Sequence, residues 1–192
     1  ARRRKGTTSS NTTTAYGPVG AGIPNHKVEN AIGVMKAYST CVGEGPFTAE
    51  MFGDEAEELR KAGGEYGAAT GRPRRVGGFD VVASKYGCMV QGANEIALTK
   101  LDILDTMAKI PVCVSYDVNG KTVDEFPSGE ALNIAKPNVV YLDGWNESTV
   151  NCRKFEDLPL NAQKYIEFIE KAVDCKIKYI SVGAERDAII VR

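Results

Sequence analysis

Apolar residues recur at helical spacing along several stretches of this chain. The clearest stretch lies near the carboxyl end and predicts an amphipathic helix with one buried face. Its apolar positions are Leu158, Ala162, Tyr165, Ile166, Ile169 and Val173. A second helix is predicted over 54–62, because Asp54 can cap its start and Gly63 can end it.

Three further helices are predicted from weaker patterns. Asp80 can cap a helix that continues to about Val90. The apolar positions of that helix are Val82, Tyr86 and Met89. Another helix is predicted over 102–108, and a short one begins at Asn25. The apolar positions of the short helix are Val28, Ile32 and Met35.

Shorter apolar or alternating runs between the helices predict β-strands. The segments 112–118 and 121–126 flank Asn119-Gly120, a dipeptide that strongly indicates a β-hairpin turn. The other extended segments are predicted over 36–42, 94–99, 139–142, 177–182 and 188–191. Because strands and helices alternate along the chain, we expect an α/β fold.

Composition excludes several classes of protein. The 192 residues include 24 Lys+Arg and 25 Asp+Glu, and the net charge of -1 excludes a generally basic nucleic-acid coat or a polybasic membrane binder. A hydrophobic share of 43% is ordinary for a globular protein and excludes a largely disordered chain. No run of residues reaches the roughly 18 apolar positions of a membrane span.

Cysteine and histidine content argues against a disulfide framework or a zinc site. The five cysteines are widely spaced and include no Cys-x-x-Cys pair, so we expect reduced thiols in a cytosolic protein. His26 is the only histidine and cannot supply a histidine-rich metal site.

A short segment after the strand predicted over 94–99 has the chemistry of a guanine site. It reads Thr99, Lys100, Leu101, Asp102. A carboxylate there can accept two hydrogen bonds from the N1 and N2 edge of guanine, and a site built for such donors rejects bases that lack them. The lysine stem can lie over the base while its charge stays hydrated. A solvated loop with a helix-capping Asp is the alternative interpretation.

Arginines cluster in residues 70–75, which read Thr-Gly-Arg-Pro-Arg-Arg. Guanidinium groups this close repel one another unless anions bind them, and each group fits carboxylate or phosphate oxygens with two hydrogen bonds. The segment predicts an anion-binding loop. A solvated basic loop or an RNA contact is equally compatible with the same residues.

Two weaker features complete the candidate chemistry. Residues 7–14 are rich in hydroxyl groups, which suit a phosphate, although a flexible polar linker has the same composition. Ser181-Val182-Gly183 stands at the end of a predicted strand, where ligands bind in open α/β sheets.

These segments, in this order, resemble the carboxyl-terminal part of the adenylosuccinate synthetase family. The matching runs are TSSN, KAYSTCVGEGPF, EYGAATGRPRR, ALTKLDILD, GWNEST, LPLNAQKYIEFIE and SVGAER, which together cover nearly the whole chain from Thr8 onward. The resemblance implies a P-loop-like α/β fold with a mixed, mostly parallel central sheet, an added β-hairpin and peripheral helices. It also implies that 8–192 are the carboxyl-terminal portion of a single domain, and that 1–7 are disordered or foreign to the fold.

The activity implied by this resemblance is a GTP-dependent ligation in purine and AMP biosynthesis. GTP would phosphorylate the 6-oxygen of IMP, and the amine of L-aspartate would then displace that leaving group to give adenylosuccinate, GDP and phosphate. Mg²⁺ is the implied cofactor. The resemblance also implies a cytoplasmic homodimer with neither a nucleic-acid nor a membrane partner.

The resemblance places ligand-binding roles on three groups of residues. Those expected to bind IMP are Thr8, Val42 and Arg72. Those expected in the loop that closes on aspartate are Ala68, Ala69, Thr70, Gly71, Arg72, Pro73 and Arg74. Those expected to bind GTP are Arg74, Lys100, Leu101, Asp102, Ser181, Val182 and Gly183.

Parts of the family pattern have no counterpart in this chain. The glycine-rich phosphate loop, its catalytic aspartate and the catalytic histidine are absent from the sequence, so we expect no catalytic or metal-ligating residue here and no turnover by this chain alone. Cys41, Ala49 and Ala69 replace an arginine and two threonines that are usual in the family, which changes the anion contacts expected there.

Two other functions remain as alternatives. A noncatalytic guanine-nucleotide-binding module would keep the segment 99–102 and use it for regulation. An RNA-binding protein could use the basic residues 2–5 and 72–75, but the chain lacks interleaved aromatic residues and a strongly basic balance, both of which disfavour that function.

Overall fold

The computed structural model describes residues 13–23 and 28–192, and its elements alternate between strands and helices. The strands are β1 (Ile32–Lys36), β2 (Ser39–Cys41), β3 (Arg75–Gly77), β4 (Phe79–Asp80), β5 (Glu95–Thr99), β6 (Lys109–Val118), β7 (Lys121–Val123), β8 (Lys136–Asp143), β9 (Lys176–Ser181) and β10 (Ile189–Val191). The helices are α1 (Gly17–Ala21), α2 (Asp54–Gly63), α3 (Val81–Gln91), α4 (Glu130–Ile134) and α5 (Leu160–Val173). Single 3-10 turns occupy Thr14–Tyr16, Leu101–Leu104 and Phe155–Asp157.

The central sheet has the strand order β1-β5-β9-β10. β1, β5 and β9 run parallel, and β10 pairs with β9 in the antiparallel sense. The predicted α/β class with a mixed, mostly parallel central sheet is therefore confirmed. Because the three parallel strands end at one edge, the residues that follow each of them emerge on the same side of the molecule.

The predicted hairpin forms part of a second sheet. β6 pairs with β7 and with the long strand β8 in the antiparallel sense, and with the short strand β4 in parallel. Asn119 and Gly120 connect β6 to β7 with φ values of 55° and 78°, the positive angles that a tight hairpin turn requires. β2 and β3 form a separate antiparallel ribbon.

Helix α5 covers the central sheet and confirms the clearest pattern in the sequence. Five of its predicted apolar positions are buried within the helix, and Leu158 is buried just before it. They pack in one cluster with the sheet residues Ile96, Leu98, Ile177 and Ile180. The Tyr165 hydroxyl also donates a hydrogen bond of 2.5 Å to the carbonyl oxygen of Ala37, which fixes α5 to the end of β1.

Helices α2 and α3 form where they were predicted, with different details. Asp80 caps α3 and accepts a hydrogen bond from its third residue. Asp54, however, is the first helical residue of α2 rather than its cap, and the helix ends through Gly64, whose φ is 60°. The predicted apolar face of α3 is wrong in part, since 43% of Tyr86 and 69% of Met89 are exposed.

Two predicted helices are wrong. Ile32 and Met35 lie in β1, where pairing with β5 fixes an extended backbone; Asn25 itself lies outside the described residues. Over 102–108 the chain forms only the 3-10 turn Leu101–Leu104, and β6 begins soon afterwards at Lys109. The short helices α1 and α4 were not predicted.

One glycine is required by close backbone packing. A Cβ on Gly144 would overlap the carbonyl oxygen of Met107, and the Gly144 amide donates a hydrogen bond of 2.9 Å to the carbonyl oxygen of Ala108. The end of β8 thereby lies against the segment that leads into β6. Over residues 13–23 and 28–192, none of the helices combines the length and apolar character needed to cross a bilayer.

Candidate functional site at the carboxyl edge of the central sheet

Two predicted ligand segments lie at the edge where the parallel strands end, one after β5 and one after β9. Lys36 pairs with Thr99 across β1 and β5, and β5 in turn pairs with β9, which ends at Ser181. The segments after β5 and β9 therefore start side by side. This edge is where ligands bind in open α/β sheets.

A buried carboxylate, Glu65, joins several cationic side chains at this edge. Its Oε1 atom accepts hydrogen bonds from the Tyr38 hydroxyl at 2.6 Å and from the Nζ atoms of Lys36 and Lys100 at 2.8 Å each. Its Oε2 atom accepts one from Nη1 of Arg74 at 2.8 Å. The Glu65 side chain is fully buried, so its charge is neutralised by these partners rather than by water.

The partners also determine the ionisation of Glu65. Burial alone would raise the pKa of the carboxyl, but the hydrogen bonds from Lys100, Lys36, Tyr38 and Arg74 outweigh burial and lower the pKa to about 2. Glu65 is therefore ionised at neutral pH. The two lysines also lie near the face of the Tyr38 ring, with Nζ atoms 5.6 and 6.0 Å from its centroid.

The predicted anion-binding loop is a short hairpin with a fixed base and an exposed tip. At the base, the Arg74 amide donates to the carbonyl oxygen of Glu65 at 2.9 Å, and Tyr66 pairs with Pro73. Above that pair, the Gly67 amide donates to the carbonyl oxygen of Arg72 at 2.8 Å. Residues 68–73 are exposed, so the tip is available to a ligand.

The three arginines of this segment have different environments. Arg74 is bound to Glu65, and its Nε atom is buried without a hydrogen-bond partner. Arg75 forms two hydrogen bonds to the carboxylate of Glu50, at 2.9 and 2.5 Å. Arg72 is exposed, and its guanidinium has no hydrogen-bond or ion-pair partner in the part of the chain that the structure describes. Judged on the described residues, Arg72 is therefore the arginine of this segment that is open to an external anion.

Arg75 holds the glycine-rich segment that follows β2. Its Nη1 atom donates to the carbonyl oxygens of Gly43 and Gly45 at 3.2 and 2.8 Å. The guanidinium carbon lies 5.5 Å from the centroid of the Phe47 ring. Val42, the predicted IMP-lining residue, is largely exposed at the start of this segment. Thr8, the other residue predicted only for IMP, lies outside the described residues.

The predicted guanine segment forms a tight turn directly after β5. Lys100 has a φ of 61°, Leu101 is fully buried, and Asp102 is half-buried at the start of the 3-10 turn. Burial raises the pKa of the Asp102 carboxyl. Lys100 also donates a hydrogen bond of 2.7 Å to the carbonyl oxygen of Gly63, so its stem is directed toward the base of the arginine loop.

A second aspartate, Asp105, connects this turn to the segment 144–149 by hydrogen bonds. Asp105 accepts hydrogen bonds from the indole nitrogen of Trp145 at 2.8 Å, from the Thr149 amide at 2.7 Å and from the Thr149 hydroxyl at 2.9 Å. Trp145 and Thr149 are both buried. The segment 144–149 thus fixes the position of the turn that carries Asp102.

The remaining predicted segment completes the edge. The Ser181 hydroxyl donates a hydrogen bond of 2.9 Å to the carbonyl oxygen of Gly183, and Val182 is buried between them. Sequence reasoning gave no role to Glu65, although Glu65 is the first residue of the run EYGAATGRPRR, because its partners Lys36, Tyr38 and Lys100 reach it only in the folded chain. Among residues 13–23 and 28–192, no group of three or more His, Cys, Asp or Glu side chains is arranged to hold a metal ion.

Comparison with known proteins identifies the family. The family model for adenylosuccinate synthetase matches residues 5–190. This chain belongs to the adenylosuccinate synthetase family. The adenylosuccinate synthetases of Kineococcus radiotolerans and Thermodesulfovibrio yellowstonii are each 46% identical to it over 186 residues, which are 96% of this chain and 44% of each relative.

A solved structure from the same family supports the fold. The structure of fully ligated adenylosuccinate synthetase from Plasmodium falciparum superposes with a TM-score of 0.89 at 37% sequence identity. The match covers 96% of this chain and 45% of that chain. This member of the family therefore spans less than half the length of the relatives compared with it.

Proposed function

We propose that this chain forms the guanine-nucleotide and amino-acid binding part of a ligase that joins IMP and L-aspartate at the expense of GTP. The observation that carries the proposal is the meeting of Arg74 and Lys100 on Glu65. It brings the anion-binding loop and the guanine segment to one side of the central sheet. Family membership supports the proposed reaction, adenylosuccinate formation in AMP biosynthesis.

Asp102 is the proposed acceptor for the N1 and N2 donors of guanine. Its carboxylate is half-buried, and burial makes its charged form costly without donors nearby. Two N–H groups of a guanine base would offset that cost. The Lys100 stem would cover one face of the base, and Ser181, Val182 and Gly183 would line the neighbouring side, because β9 lies beside β5.

The exposed tip of the arginine loop is the proposed site for L-aspartate. Arg72 has an open guanidinium that can bind a carboxylate with two hydrogen bonds. Thr70 and Gly71 stand beside it in the loop, and Arg74 would act from the base, toward aspartate and GTP. IMP is proposed at Thr8, Val42 and Arg72.

The chemical step needs groups that we do not assign to this chain. In the proposed reaction the 6-oxygen of IMP is phosphorylated by GTP, and the amine of aspartate displaces the phosphate. The contribution of this chain is orientation of the reactants and electrostatic stabilisation of anionic groups. Mg²⁺ would assist the phosphate chemistry. The described residues do not fit a metal site, so we derive no step through the ion.

Further assignments follow from the same family membership. We propose that 8–192 are one portion of a single larger domain and that the complete enzyme is a homodimer. A cytoplasmic location is supported by the cysteines, since the described Cys41, Cys88, Cys113, Cys152 and Cys175 are free thiols.

The guanine assignment is tested by the nucleotide specificity of Asp102→Asn. Binding of GTP and of xanthosine triphosphate is measured by calorimetry on the wild-type chain and the variant. Loss of a charged acceptor should weaken GTP binding by about 10- to 100-fold and shift the preference toward the xanthine nucleotide. The matched control is Asp143→Asn, an exposed aspartate on β8, which should leave GTP binding unchanged. Equal GTP affinity in Asp102→Asn and wild type would contradict the guanine site.

Two further measurements separate the ligase from a noncatalytic guanine-nucleotide-binding module. IMP should protect residues 67–74 from proteolysis if this part of the chain serves the ligase, whereas a simple nucleotide-binding module gives no protection by IMP. A turnover assay with IMP, aspartate, GTP and Mg²⁺ should yield no product from this chain alone. Appreciable product would contradict the assignment of the catalytic groups elsewhere.

A further inference from the structure

We propose that Glu65 is a positioning residue that couples the guanine segment to the anion-binding loop, so that a bound guanine nucleotide orders residues 66–73. This coupling rests on the proposed function, and its test is chosen so that the two fail in different ways. Glu65 itself would not touch a ligand, because it is fully buried. It acts through Lys100 and Arg74.

The contacts of Glu65 divide between the two segments. Oε1 is bound to Lys100, the first residue after β5, and to Lys36 at the end of β1. Oε2 is bound to Arg74 at the base of the loop. The carboxylate of Glu65 therefore holds both segments. If Lys100 moves, the hydrogen bond between Glu65 and Arg74 changes, and movement of Arg74 changes the bond to Lys100 in the same way.

Burial makes the carboxylate the fixed part of this arrangement and the cations the movable part. The side chains of Lys100 and Arg74 are 37% and 35% exposed, whereas that of Glu65 is fully buried. Each cation thus has one face on Glu65 and another open to a ligand. The backbone behind them is fixed, because the Nε atom of Arg60 in α2 donates a hydrogen bond of 2.8 Å to the carbonyl oxygen of Arg74.

The charges around Glu65 predict a positive coupling, in which binding at one segment strengthens binding at the other. Lys36, Lys100 and Arg74 surround one carboxylate, which leaves two positive charges in excess. In the proposed pose a guanine base covers the Lys100 stem and removes water from this partly exposed cluster. The ion pairs of Glu65 with Lys100 and Arg74 then strengthen in the lower local dielectric, which fixes the base of the loop. Because coupling between two ligands is reciprocal, an anion bound at the loop should also strengthen nucleotide binding.

Hydrogen exchange of the loop amides tests this coupling. In the wild-type chain, GTP should slow exchange at Gly67, Gly71 and Arg72 by about 5-fold or more, the lower end of typical coupling between sites. In Glu65→Gln, GTP should still bind and the slowing should disappear. The matched control is Glu50→Gln, which removes the partner of neighbouring Arg75 and leaves Glu65 intact; there the slowing should persist. A merely structural role would speed exchange equally with and without GTP, and leave their ratio unchanged.

The remaining results of this experiment would contradict either the coupling or the proposed function. If wild type binds GTP and the loop exchange is unchanged, the coupling is wrong and the guanine site stands. If wild type binds no GTP, the proposed function has failed and the coupling falls with it. If circular dichroism shows that Glu65→Gln does not fold, Glu65→Asp replaces it, since the shorter side chain keeps the charge but cannot hold both Lys100 and Arg74 at their present distances. Persistent slowing by GTP in whichever of the two variants folds would overturn the coupling.

Discussion

Replacing Glu65 with glutamine should remove a large part of the stability of this chain at neutral pH. The substitution keeps the shape of the side chain and deletes its charge, which leaves three cations around a neutral amide. A pKa of about 2, against an ordinary value of 4.5, corresponds to about 3 kcal/mol of interaction in favour of the carboxylate. Lys36, Lys100 and Arg74 are partly exposed and screened by water, so we expect a loss of about 2–3 kcal/mol.

The sign of the pH dependence follows from the lowered pKa. Because the carboxyl of Glu65 is more acidic in the folded chain, its stabilisation is fully present above the unfolded pKa of about 4.5 and is lost as the pH falls toward about 2. The difference in unfolding free energy between wild type and Glu65→Gln should therefore shrink over this window. Urea unfolding followed by circular dichroism at pH 7, 5 and 3 measures it.

A neighbouring glutamate provides the matched control. Glu57 in α2 pairs with Arg60 and Lys61, but 44% of its side chain is exposed. Glu57→Gln should cost at most about 1 kcal/mol at pH 7. A cost for Glu65→Gln no larger than that of Glu57→Gln, or a difference from wild type that is the same at pH 3 as at pH 7, would refute the reasoning from the buried carboxylate.

Further expectations concern backbone packing and thiol reactivity. Gly144→Ala should destabilise the chain by about 3 kcal/mol or more in urea unfolding, because the added Cβ overlaps a backbone carbonyl. The control, Gly87→Ala, has open space around it in α3 and should stabilise the chain by up to about 1 kcal/mol. Equal effects of the two substitutions would contradict the packing at the end of β8. A thiol reagent should modify Cys41 first, since it is the least buried of the described cysteines, while burial raises the pKa of Cys88 and Cys113 to about 12. Faster labelling of Cys88 or Cys113, mapped by mass spectrometry, would contradict their burial.

Local signals in the sequence predicted the elements whose determinants are local. Helix α5 has a continuous apolar stripe, and Asp80 has a side chain that can cap α3. Asn119 and Gly120 tolerate the positive φ values of a tight hairpin. In each case the residues that specify the element lie within it or beside it, and the structure agrees with the prediction.

The elements that were predicted wrongly depend on partners far along the chain. Ile32 and Met35 are three apart, which fits a helix, but the backbone of β1 is fixed by pairing with β5 about sixty residues later. Tyr86 was placed in the core by its spacing within α3. In the structure its ring stacks on Phe126 at 4.9 Å, at the surface.

Counting arginines in a sequence overestimates the number of external anion sites, and this loop shows why. The cluster 72–75 suggested that nearby cations need anions, and that physical argument holds. For Arg74 and Arg75 the anions are internal, namely Glu65 and Glu50, and these acids lie 9 and 25 residues away from their partners. The sequence does not show which acid pairs with which arginine, because only the folded chain brings these side chains together. Arg72 alone among the three has no internal partner in the described part of the chain, so we expect it to contribute most to binding an external carboxylate.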